Sequence, residues 1–93
     1  MLRLIKENNS IRRVREYKSP SLQDERVFVA RYEDGYAVYD IQSGLRICTG
    51  SNVYSATAMF NDYYKKDYEI YIKTGLYIKQ VDSFNTCKQA LGY

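Results

Sequence analysis

The sequence predicts an α+β domain: an antiparallel sheet of four to five strands packed against one long helix at about residues 53–74, with a short C-terminal helix. Three observations carry this expectation. Asp34-Gly35 sits between two stretches rich in β-branched and aromatic residues, the pattern of a hairpin. Residues 53–74 sort their apolar and polar side chains onto opposite arcs of a helical wheel. At 93 residues the chain can bury one core and not two, so 1–93 is read as a single domain.

At the N-terminus, residues 2–5 and 11–17 flank Asn8-Asn9 and are expected to pair as a hairpin. On the second strand, alternation puts Arg13 and Arg15 on one face with Ile11 and Tyr17, and Arg12 on the other with Val14. Residues 18–25 contain Pro20 and two serines and are expected to form a loop. The hairpin at residues 26–42 is expected to turn at Asp34-Gly35, with Glu33 opposite Tyr36. Phe28, Ala30, Tyr32, Ala37, Tyr39 and Ile41 then share an aromatic face, and Val27, Val29 and Val38 share an aliphatic one.

A further strand is expected at residues 45–49, after a four-residue turn closed by the Asp40 carboxylate, with Gly44 left-handed. Ser51 or Asn52 can cap the long helix at its start, and Gly75 can end it. A rival assignment stops that helix near Lys66 and makes a hairpin around Thr74-Gly75. Residues 76–81 are expected to form a short strand, and Ser83 to open the C-terminal helix. Inside the helical pattern Asp67 falls on the apolar arc, so it is expected to be a buried polar tie.

Composition bounds the chemistry. The chain has no histidine and two cysteines, Cys48 and Cys87, far apart in sequence. Histidine-based acid–base and triad catalysis are therefore excluded, and a four-ligand zinc site cannot be assembled. No phosphate-binding glycine loop is present. No catalytic residue, metal or cofactor is expected, and the cysteines are expected as free thiols in a cytoplasmic protein. No apolar run is long enough to span a membrane.

Eleven tyrosines provide apolar bodies with polar tips, a composition suited to binding surfaces. Phe28, Tyr32, Tyr39, Tyr36 and Tyr54 are the expected partner-binding residues. Net charge is +3, and residues 1–18 carry six basic against two acidic side chains. Residue types with AT-rich codons (Phe, Tyr, Met, Ile, Asn, Lys) total 35, against 18 of Gly, Ala, Arg and Pro. That bias suggests a phage or mobile-element origin. The expected function is thus a small non-catalytic module that docks on a host or defence protein, for example an anti-CRISPR-like inhibitor. The alternative is a single-stranded nucleic-acid binder, with Tyr32 and Tyr39 stacking bases and Arg12, Arg13 and Arg15 neutralising phosphates. A homodimer seam is a third expected use of the aromatic face.

Overall fold

A computed structural model describes residues 1–7 and 10–75. The expected strand at 76–81, the C-terminal helix, Cys87 and Tyr93 lie outside the described residues. Within them the fold is α+β. Strands β1 (Leu2–Glu7) and β2 (Ser10–Arg15) form one antiparallel hairpin, and β3 (Val27–Tyr32), β4 (Gly35–Asp40) and β5 (Arg46–Gly50) form a meander in the order β3-β4-β5. Helix α1 (Val53–Met59), a π-helical turn (Phe60–Tyr64) and helix α2 (Lys65–Thr74) run on as one helix of 22 residues. Helical backbone through Thr74 removes the rival hairpin around Thr74-Gly75.

The expected single sheet is divided in two. After β2 Tyr17 bridges to Val29 on the edge of β3, before the loop around Pro20 carries the chain away. The hairpin then folds across the meander instead of extending it. Burial explains the choice. Ile5 and half-buried Val14 cover Phe28, Ala30, Ala37 and Tyr39, closing one core on the aromatic face. The other face packs Val27, Val29, Val38, Ile47 and Cys48 against Ala56, Phe60 and Tyr68 of the helix. The meander is thus sealed on both sides, which is why both of its faces are apolar in sequence. Lys6 N donates to Gly44 O at 3.1 Å, tying β1 to the loop between β4 and β5.

The β3–β4 register differs from expectation by one residue on each strand: Tyr32 pairs with Gly35, and Phe28 with Tyr39. The turn residues are Glu33, at φ 51°, and Asp34. Gly35 is used for close approach instead, since a Cβ there would lie 2.4 Å from Gly50 O on β5. A shift of one residue on both strands keeps every side chain on its face, so the aromatic and aliphatic sets survive. The Asp40 turn forms as expected: Ser43 N donates to Asp40 Oδ2 at 2.7 Å, and Gly44 has φ 75°.

Asn52 caps α1, its side chain accepting from Ser55 N at 2.7 Å while Ser55 Oγ accepts from Asn52 N at 3.0 Å. Gly75, at φ 77°, ends α2. Between them the inward residues Ala56, Phe60, Tyr64 and Tyr68 recur every fourth position. Twelve residues of ideal α-helix turn about 120° beyond three full turns, which would swing position 68 off the sheet. The extra residue of the π-helical turn absorbs most of that excess.

This turn corrects two sequence expectations. Tyr63, which a uniform α-helical pattern puts on the apolar arc with Asp67, is 66% exposed, and Asp67 is only half-buried. The buried polar tie is Asp40, 2% exposed, which accepts from the Tyr68 hydroxyl.

Candidate functional site

The residues expected to bind a partner do not form one surface. Phe28 and Tyr39 are buried and stack on each other at 5.6 Å between ring centroids. They cannot stack bases or receive a partner, because the hairpin lies over them. Tyr32 is half-buried, with the Arg46 guanidinium 4.0 Å from its ring centroid. Tyr36 is half-buried edge-on to Tyr17, with ring centroids 5.2 Å apart. Tyr54, 77% exposed on the first turn of α1, is alone of the five in facing solvent fully.

The three expected phosphate-binding arginines are also divided. Arg12 projects on the meander side of the hairpin and donates to Glu7 at 2.6 Å, a bond that keeps its guanidinium charged. Arg13 and Arg15 lie on the opposite side, facing away from the core. Register explains the sorting. Opposed residues of an antiparallel pair share a face. Arg3↔Val14, Ile5↔Arg12 and Glu7↔Ser10 therefore face the meander, and Leu2↔Arg15, Leu4↔Arg13 and Lys6↔Ile11 face outward.

That outward face is the most distinctive surface among the described residues. Leu2, Leu4 and Ile11 are 59%, 56% and 72% exposed, and Met1 at its margin is 80% exposed. Each rung sets one aliphatic side chain beside one cation. The two acidic residues of the hairpin region, Glu7 and Glu16, are used elsewhere: Glu7 binds Arg12, and Glu16 binds Arg3 at 3.0 Å. Among the described residues Lys6, Arg13 and Arg15 form no ion pair, although Arg15 lies 5.5 Å over the Tyr17 ring. The outcome is an apolar, uniformly positive strip. Beside it a groove of about 190 Å³ opens between the hairpin, at Leu4, Lys6 and Ile11, and the Ile41–Gly44 loop.

Other cavities offer less. A cleft of about 460 Å³ runs beside β3, between Arg3, Glu16 and Lys18 on one side and Asp24 and Glu25 on the other. Glu16 is held by Arg3, and Asp24 is held by Arg26 below the usual carboxylate range. Neither is an available general base. No group of three His, Cys, Asp or Glu residues stands ready for a metal among the described residues. Cys48 is a free thiol, but burial pushes its pKa up to about 12, so it is not a nucleophile at neutral pH. Among the described residues no helix is long and apolar enough to cross a membrane.

Leu2, Leu4, Lys6 and Ile11 were not among the expected site residues. Their signal was present: pairing the two expected strands with Glu7 opposite Ser10 brings the aliphatic residues of one strand opposite the arginines of the other. No protein-family model, curated protein or solved structure matches the chain.

Proposed function

We propose that this chain is a non-catalytic module that docks on another protein through the outward face of the β1–β2 hairpin. One observation carries this reading: Leu2, Leu4 and Ile11 are exposed together on one face, beside three cations that have no ion-pair partner among the described residues. Leaving such side chains in water brings the fold no packing, and a continuous apolar patch rimmed by charge is characteristic of interaction surfaces. The finer proposal keeps the role suggested by composition. It is an inhibitor-type protein of phage or mobile-element origin, acting on a host or defence protein in the cytoplasm.

The test is affinity capture from a bacterial lysate, with and without nuclease, using the wild-type chain and a Leu4→Ser/Ile11→Ser variant. The wild type should retain a protein in both conditions, and the variant should lose it while keeping its melting temperature. Capture that is indifferent to the variant would overturn docking through this face, and capture abolished by nuclease would transfer the function to nucleic acid.

A further inference from the structure

Resting on that docking reading, we infer that the partner presents an acidic segment carrying an apolar anchor, with the anchor in the groove beside Leu4 and the acidic groups over Lys6, Arg13 and Arg15. Charge complementarity selects the acid. The outward face holds three cations and no carboxylate, while the hairpin region's acids are tied to Arg3 and Arg12 on its other side. The groove selects the anchor. At about 190 Å³ it falls below the roughly 300–1,000 Å³ of pockets that enclose small molecules, and it suits a single side chain. Its walls include Leu4, Ile11 and Ile41, with Lys6 at the rim. Rungs on one face repeat about every 7 Å, the same repeat as alternate residues of an extended partner.

Three other occupants fit less well. A membrane surface separates apolar and cationic groups by depth, with apolar groups in the acyl boundary and cations at the headgroups. On this hairpin each rung places an aliphatic and a cationic side chain side by side at one level. A single nucleic-acid strand needs aromatic stacking planes and a continuous line of cations. Here the face is aliphatic, and its cations cross from β2 to β1 between Arg13 and Lys6. A second copy of the chain would set like charges against each other.

The proposal is tested by fluorescence polarisation with labelled short peptides alternating glutamate with leucine, glutamate with serine, or lysine with leucine. Phosphatidylserine vesicles and an oligothymidine strand complete the panel. The glutamate–leucine peptide should bind best, and its binding should weaken as salt rises from about 0.1 M to about 1 M, which shortens the screening length from about 10 Å to about 3 Å. Arg13→Glu with Arg15→Glu should weaken it by about tenfold or more, as should Leu4→Ser with Ile11→Ser. The proposal is overturned if the glutamate–serine or lysine–leucine peptide binds equally well, if vesicles or oligothymidine bind more tightly, or if the glutamate–leucine peptide fails to bind at low salt. Lysate capture separates the two levels. Loss of capture in Leu4→Ser/Ile11→Ser but not in Arg13→Glu/Arg15→Glu keeps the docking face and rejects the acidic partner. Capture unaffected by either pair rejects the docking face itself.

Discussion

The Tyr68 hydroxyl donates to Asp40 Oδ1 at 2.5 Å, joining the second half of the helix to the end of β4. Both residues are sealed from solvent, Tyr68 at 0% and Asp40 at 2% exposure. The other carboxylate oxygen accepts from Ser43 N and Ser43 Oγ, each at 2.7 Å. One buried acid therefore fixes the β4–β5 turn and positions the helix. Arg26 closes the same corner, with its guanidinium 5.1 Å from the Tyr68 ring centroid and paired to both Asp24 and Glu69.

Removing the tyrosine donor leaves a buried carboxylate oxygen without this bond. Tyr68→Phe is expected to cost about 1–3 kcal/mol, the penalty for stranding a buried acceptor. In a domain of this size the melting temperature falls about 4–8 °C per kcal/mol. Tyr63→Phe, at a ring 66% exposed, should change stability by less than about 0.5 kcal/mol. Denaturant titration of the two variants measures the difference. Equal effects would contradict the helix register.

Tyr39 presents the reverse case. Its hydroxyl is buried and has no hydrogen-bond partner among the described residues. Burial, followed by the nearby Glu7 charge, pushes its pKa up to about 12. Tyr39→Phe removes an unsatisfied polar atom and keeps the ring stacked on Phe28, so it should stabilise the fold by up to about 1 kcal/mol. A guanidinium titration in which Tyr39→Phe loses more than about 1 kcal/mol would show that the hydroxyl is bonded in solution.

The parts of the fold that were legible in sequence are those decided locally. The Asp40–Gly44 turn, the Asn52 cap and the Gly75 stop each depend on side chains within a few residues of the backbone groups they satisfy. Faces were legible too, because strand alternation survives an equal shift on both strands. What covers the aromatic face was not legible. Ile5 and Val14 reach Phe28 and Tyr39 only after the hairpin folds over the meander, and no local signal specifies that crossing. The candidate site suffered accordingly: Phe28 and Tyr39 became core, and the exposed face proposed for docking lies on aliphatic residues of the covering hairpin. The expectation of Asp67 as the buried polar tie had a different origin, a uniform α-helical period applied across a π-helical turn.

Alkaline pH should unfold the domain through groups buried in their neutral form. Cys48 rises from an ordinary 9.0 to about 12 and Tyr39 from 10.0 to about 12, in both cases chiefly by burial. The unfolded chain therefore loses these protons first. The contribution of each group is complete below its unfolded value and is lost as pH rises through about 12. Melting temperature should hold level to about pH 8.5 and fall steadily above it. Cys48→Ala, which removes the lower of the two starting values, should move the onset toward pH 10. A melting temperature constant through pH 11 would show that neither group is sealed.

The π-helical turn makes a prediction that an ordinary helix would not. Deleting one residue from a uniform α-helix rotates everything beyond it by about 100° and removes the downstream side chains from their core positions. Here one residue is already in excess between Phe60 and Tyr68. Asp62 is exposed, and the nearby bond from Asn61 Nδ2 to Ser21 O lies upstream of it. Deleting Asp62 leaves inward positions spaced four, three and four residues apart from Ala56 onward, a total of eleven residues that returns to within about 20° of three full α-helical turns. The variant should keep its helical circular dichroism, with stability within about 1 kcal/mol of the parent. Phe60→Ala, which empties a fully buried site in the same segment, should cost about 3–5 kcal/mol. If deleting Asp62 costs as much as Phe60→Ala, Tyr68 has been rotated out of the core, and the helix carries no spare residue in solution.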